Sequence, residues 1–168
     1  MYTKEKAKVN SFTVDHTKLK QGIYAKASAT NNSNLDSYTT YDIRMIRPNS
    51  PERMLSPEVM HTLEHCFATE IRTILGDEVI YVGPMGCCTG FYVVLAGTDK
   101  SPQDVAGLMK EVLETVLTPG YEVPFQNPIS CGNYTFMDFD SSKQACVNFL
   151  HLIDAGELAF EYPYIEEN

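Results

Sequence analysis

Residues 78–95 read EVIYVGPMGCCTGFYVVL. Two β-branched and aromatic runs, Glu78 to Val82 and Gly90 to Leu95, flank a turn carrying Gly, Pro and two adjacent thiols. The pattern predicts two strands with no helix between them, which favours antiparallel pairing. Working outward, the same arrangement recurs upstream, where Gly22 to Ala29 and Ser37 to Arg47 read as strands joined by a surface loop, Thr30 to Asp36 (TNNSNLD). Asn133 to Phe139 reads as a fifth strand.

Three helices are marked by their caps. Ser56-Pro57-Glu58 supplies a capping hydroxyl, then Pro at the first helical position, then an acid, and Gly76 follows Leu75, so a helix spans about 57 to 75. Ser101-Pro102-Gln103-Asp104 opens a second, in which Val105, Leu108, Met109, Val112, Leu113 and Val116 recur at helical spacing up to Pro119-Gly120. Ser141 and Gln144 suggest a capping box for a third, ending at Gly156. The order β-β-α-β-β-α-β-α implies one α+β domain over residues 1–168, a mainly antiparallel sheet with helices packed on one face. Glu161 to Asn168 reads as an acidic tail.

Composition narrows the function. The 168 residues include 43% hydrophobic and 21% charged residues, which is globular usage for a single domain. The net charge of -9 would repel a phosphate backbone, so nucleic acid is not an expected partner. Met1 to Asn10 is polar and Lys-rich, unlike a signal peptide, and no apolar run reaches the roughly 18 residues of a membrane span. A cytoplasmic protein without membrane contact is expected. Five Cys, an odd number at irregular spacing, then argue for ligand or reactive thiols over disulfides.

The chemistry concentrates in His61-Thr62-Leu63-Glu64-His65, early in the first helix. At about 100 degrees per residue, His65 lies roughly 40 degrees round from His61 and Glu64 roughly 60 degrees the other way. All three project from one side, while Leu63, Phe67, Ile71 and Ile74 form the stripe expected to anchor the helix. The bland alternative is a solvated face carrying two ordinary His. Cys131, in Ile129-Ser130-Cys131-Gly132, is the candidate third metal ligand, its own alternative being a lone buried thiol. A His2Cys set suits zinc, cobalt or ferrous iron, whereas magnesium and calcium would want oxygen. Cys87 and Cys88 are placed to react, to pack a hairpin, or to close the metal site; Cys66 and Cys146 read as core. Ser11-Phe12-Thr13-Val14-Asp15-His16 groups a hydroxyl with an imidazole, and Arg44 lies on a strand bordering the core, where Arg requires an acidic partner or a ligand.

SFTVDH, YDIRMIRPN, HTLEH, PMGCCTGFY and CGNY, in this order over most of the chain, resemble the S-ribosylhomocysteine lyase family, which makes the precursor of autoinducer-2. The resemblance implies an α+β homodimer with metal sites at the subunit interface, holding iron(II) in the cell and often zinc or cobalt after purification. It implies metal ligation by His61, His65 and Cys131, acid/base roles for Glu64 and Cys87, and substrate contacts from Ser11, His16 and Arg44. The sequence departs from the family pattern at Cys88, where a basic or amide side chain is usual, and around Leu19 to Ala25, where the usual Pro is missing. Quorum sensing, or salvage of homocysteine in the activated methyl cycle, is the implied context. Two other classes fit part of the pattern: an inverted-zincin-like metallopeptidase, which would draw a third ligand from Glu111 or Glu114, and a non-catalytic metal-binding protein with four protein ligands.

Overall fold

The structure is a computed structural model and describes residues 14–28, 37–50, 54–97 and 99–165. Ser11 and the loop Thr30 to Asp36 lie outside the described residues, as does the end of the chain from residue 166. Four strands, β1 (Gly22–Ser28), β2 (Tyr38–Arg44), β3 (Val79–Pro84) and β4 (Gly90–Ala96), form one sheet in the order β1-β2-β4-β3. Every neighbouring pair is antiparallel: β1–β2 and β3–β4 join consecutive strands, while β2 and β4 pair across the intervening α1 and β3. The helices are α1 (Pro57–Leu75), α2 (Pro102–Val116) and α3 (Phe139–Ala155).

Alternation decides what each face of the sheet does. Ile23, Tyr41, Ile43, Phe91, Val93 and Leu95 belong to the main core, packed with α1 and α2. Leu63, Phe67 and Ile71 of α1 are fully buried against this face, with the Phe67 ring edge-on to Phe91 at 5.0 Å between centroids. Ile74, expected on the same stripe, is instead exposed at 38%, while Leu75 beside it packs against the core. Met60 and Cys66 widen the buried face instead. The helix is fixed at its start by Ser56, whose side chain accepts from the Val59 amide, and at its end by Gly76 at φ 57°. Ser101 and Asp104 form a reciprocal capping box on α2.

Three expectations are corrected. Asn133 to Phe139 is not a strand: it turns, with the Phe136 amide bonded to the Asn133 carbonyl at 2.9 Å, and the Phe136 carbonyl serves the site described below. The third helix begins earlier than Ser141, capped by Asp138, which accepts from the Ser141 amide at 3.0 Å, while Gln144 bonds Asn148 further along the helix. Nor is the segment from Glu161 a free tail as far as Ile165. Tyr162 stacks on Tyr24 at 4.7 Å, Val14 and Tyr164 form an isolated bridge, and the Asp15 amide donates to the Pro163 carbonyl. Just before it, the Ala159 carbonyl accepts from Ile23, and the backbone lies so close to Gly22 that a Cβ there would collide with it. This C-terminal strap and the chain around Val14 cover the edge of the sheet face away from the helices, where Val14, Leu19 and Tyr24 form a small second core.

Candidate metal centre and active site

His61 and His65, one turn apart on α1, meet Cys131 from the loop that precedes α3. One ligand atom from each lies within 4.8 Å of the other two, and the Cys131 sulfur is 3.3 Å from His61 Nε2. Each imidazole is oriented from behind. His61 Nδ1 donates to the Phe136 carbonyl at 2.8 Å and His65 Nδ1 to the Pro124 carbonyl at 2.9 Å. A carbonyl only accepts, so each Nδ1 carries a proton and Nε2 is the ring atom turned toward a ligand. Carbonyl-oriented imidazoles of this kind are the usual support of metal-bound His. The Asn133 amide donates to the Cys131 sulfur at 3.4 Å. Ligand bonds near 2.0–2.3 Å to a common ion require donors a few ångströms apart, so nitrogen, nitrogen and sulfur here fit a divalent ion of the zinc or iron type.

The three donors open into a cavity of about 470 Å³, lined also by Glu64, Ala68, Thr69, Phe125, Ser130 and Gly132. Glu64 therefore faces the same space, as the helical spacing requires. Neither Cys87 nor Cys88 lines this cavity, and Glu111 and Glu114 do not either, so a thiol from the 131 loop stands where the peptidase reading wanted a carboxylate. Phe125, which lines the opening, is exposed at 62% and held at φ 57°, and Ile129, next to the lining residue Ser130, is exposed at 96%.

The other candidates gather elsewhere. Asp42 and Arg44 alternate with Tyr41 and Ile43 on β2, so they point to the face away from the helices. They are buried, with 3% exposure each, and form a bidentate pair: Arg44 Nε to Asp42 Oδ1 at 3.0 Å and Nη2 to Oδ2 at 2.5 Å. Burial pushes the Asp42 carboxyl up and the Arg44 charge offsets it in part; burial works against the Arg44 charge, and the Asp42 carboxylate outweighs it, holding the guanidinium above its ordinary value. Burial likewise raises Tyr24, Tyr92 and Tyr162 around the pair. The remaining Arg44 nitrogen, Nη1, reaches the β3–β4 turn, donating to Thr89 Oγ1 at 2.6 Å and lying 3.6 Å from the exposed Cys87 sulfur. His16 stands at the edge of this region, its Nδ1 bonded to the Val14 carbonyl, and its charge acts on Asp42. The expected residues thus divide into two sets: His61, Glu64, His65 and Cys131 on one side, and His16, Arg44 and Cys87 on the other.

The family model for S-ribosylhomocysteinase (LuxS) matches residues 9–157. An S-ribosylhomocysteine lyase of Finegoldia magna is 40% identical over 147 residues, covering 88% of this chain and 92% of the relative. One from Desulfotalea psychrophila is 39% identical over 160 residues, 93% of this chain and 98% of the relative, and one from Borreliella burgdorferi is 34% identical over 159 residues, 93% and 99%.

The chain belongs to the S-ribosylhomocysteinase family.

Against this S-ribosylhomocysteinase frame, the residue reasoning missed four things. Asp42, two residues before Arg44 on β2, is the acidic partner that Arg44 requires. Thr89 was read as part of a turn, although it joins Arg44 to Cys87. The Phe136 and Pro124 carbonyls that aim the imidazoles carry no side-chain signal at all. The strand register Arg44↔Gly90, which brings the turn beside the guanidinium, could be guessed only once β2 was known to pair with β4.

Proposed function

We propose that this chain is an S-ribosylhomocysteine lyase, cleaving the thioether to homocysteine and 4,5-dihydroxy-2,3-pentanedione, the autoinducer-2 precursor. The observation that carries the reading is the convergence of His61, His65 and Cys131 with Glu64 in one open cavity of a chain from this family. The substrate carries sulfur on C5 and its aldehyde at C1, and a thioether leaves easily only when β to a carbonyl. The carbonyl must therefore move to C3 by two shifts through enediolates, each needing a proton lifted from one carbon and returned to the next. Loss of the C4 proton then expels homocysteine as a thiolate.

His61, His65 and Cys131 would hold one divalent ion per subunit, iron(II) in the cell with zinc or cobalt as substitutes. Such an ion polarises sugar carbonyl and hydroxyl oxygens and stabilises enediolate charge. Glu64, beside the ligands, is the first proton carrier, and the exposed Cys87 thiol is the second. Arg44, with its charge fixed by Asp42, is suited to stabilising a Cys87 thiolate or to binding substrate oxygens. Ser11 and His16 complete the substrate pocket.

The active form we infer is a homodimer. Glu64 and Cys87 must act on one sugar, yet Glu64 lines the cavity beside His61, His65 and Cys131 while Cys87 does not. A second copy that sets its Cys87 cluster against the open cavity, beside the exposed Phe125 and Ile129, satisfies the chemistry. Mixing His61→Ala with Cys87→Ala protein should then restore roughly a quarter of wild-type turnover from two inactive parents, through one intact site in each mixed dimer. No recovery on mixing would rule out shared sites. We also infer a cytoplasmic location, which suits a protein whose five Cys are free.

The activity itself is tested by incubating S-ribosylhomocysteine with the metal-loaded protein and titrating the thiol released. A stoichiometric free thiol is expected, and its absence in protein with full metal content would overturn the reading.

A further inference from the structure

We propose that Thr89 is a positioning residue for Cys87, its hydroxyl locked as a hydrogen-bond donor to the Cys87 sulfur by the Asp42–Arg44 pair. The inference deepens the reading in which Cys87 carries a proton, and rests on it. Thr89 is buried, with 2% exposure, and its Oγ1 lies 2.6 Å from Arg44 Nη1 and 3.0 Å from Cys87 Sγ. A guanidinium has no acceptor, so the bond to Arg44 has one polarity: nitrogen donates and the Thr89 oxygen accepts. That occupies a lone pair and leaves the single hydroxyl proton to be placed. Among the described residues, the acceptor within reach is the Cys87 sulfur. A buried hydroxyl without an acceptor is costly, so the proton points at the sulfur, which takes the acceptor's part in the bond.

The arrangement is directional along its whole length. Asp42 takes two of the Arg44 N–H groups and fixes the fork, the third nitrogen polarises the Thr89 hydroxyl, and the hydroxyl meets the sulfur. Arg44 Nη1 itself is 3.6 Å from the sulfur, so the hydroxyl at 3.0 Å is the closer of the two. The charged and titratable groups facing this point are Arg44 and Asp42 from β2 and Tyr92 from β4. The carboxylate is already occupied by Arg44, which leaves a net donor environment for the thiol. Thr89 stays at this distance because the Met85 amide bonds the Gly90 carbonyl and the Ile46 amide bonds the Thr89 carbonyl, pinning the turn to β2 and to itself.

The test is the rate at which iodoacetamide alkylates Cys87 in the metal-loaded protein, with the site read by fragment-ion mass spectrometry to separate it from Cys88. Thr89→Val keeps the shape and removes the proton, and should slow Cys87 alkylation at neutral pH about tenfold, the size expected for one hydrogen bond to a charged acceptor. Thr89→Ser restores the hydroxyl and should return the rate to near that of wild type. Equal alkylation in wild type and Thr89→Val, or a Thr89→Ser protein as slow as the Val variant, would overturn the proposal. Failure of the catalytic reading looks different: a Cys87→Ala protein that still turns over substrate removes Cys87 from the mechanism while the contrast between Val and Ser stands.

Discussion

The two clusters use opposite physical strategies. The His61, His65 and Cys131 set is half open, its rings aimed by backbone carbonyls, with ligand atoms converging on a point; the Asp42–Arg44 set is closed, with charge matched to charge inside the protein. A site that must receive an ion keeps its donors unsatisfied, whereas a site that must present a fixed field satisfies every donor except the one aimed at its target. Stability and activity should therefore separate between the two regions.

The largest effect is expected at the open cluster. Cys131→Ala should reduce metal affinity by more than the roughly 10–100-fold that changes to outer-shell partners cost, and abolish turnover, as measured by metal content after dialysis. Full metal occupancy in that variant would remove the thiol from the ligand set. Next comes Glu64→Gln, for which metal content should be unchanged while turnover falls by about 10²–10⁴-fold, and the urea midpoint should move by no more than about 0.5 kcal/mol of stability. The closed cluster reverses this pattern. Asp42→Asn strands a buried guanidinium and should cost about 3–5 kcal/mol in urea unfolding at constant slope, with the metal still bound. Should Asp42→Asn leave stability intact and Glu64→Gln unfold the protein, the contrast between the two regions would be wrong.

The smallest effect at neutral pH concerns two buried thiols that neither cluster uses. Burial pushes the Cys66 thiol up to about 12 from its ordinary 9.0, and burial raises Cys146 as well. The folded state thus keeps Cys66 neutral where the unfolded chain ionises. Its contribution is constant below about pH 9 and is lost as pH rises towards 12, by up to about 1.4 kcal/mol per pH unit. Comparing the pH slopes of urea stability for wild type and Cys66→Ala above pH 9 isolates this one group; identical slopes would mean that the thiol is accessible in the folded protein.

Legibility followed the range of the signal. Helix α1 could be read from its caps and period, and with it the shared face of His61, Glu64 and His65, because three residues in one turn need no tertiary information. The β3–β4 hairpin was equally local. Asn133 to Phe139 has Tyr134 and Phe136 in the pattern of a strand, yet both are exposed residues of a turn whose Phe136 carbonyl orients His61. Asp138 was passed over as a cap because Ser141 and Gln144 offer a similar pattern three residues later, and the choice is decided by the Asp138 amide, which bonds Thr62 on α1.

The sequence by itself determined the α+β class, the helix carrying two imidazoles and a carboxylate, and the residue types from which a soft divalent site can be built. Only the tertiary structure decided that Cys131 meets His61 and His65, that Asp42 and Thr89 bracket Arg44 beside Cys87, and that Cys87 lies outside the cavity those three residues line. The reason is physical: caps and periodicity act within a few residues, while a coordination sphere or a buried ion pair depends on which strand pairs with which and on the carbonyl oxygens that packing happens to aim.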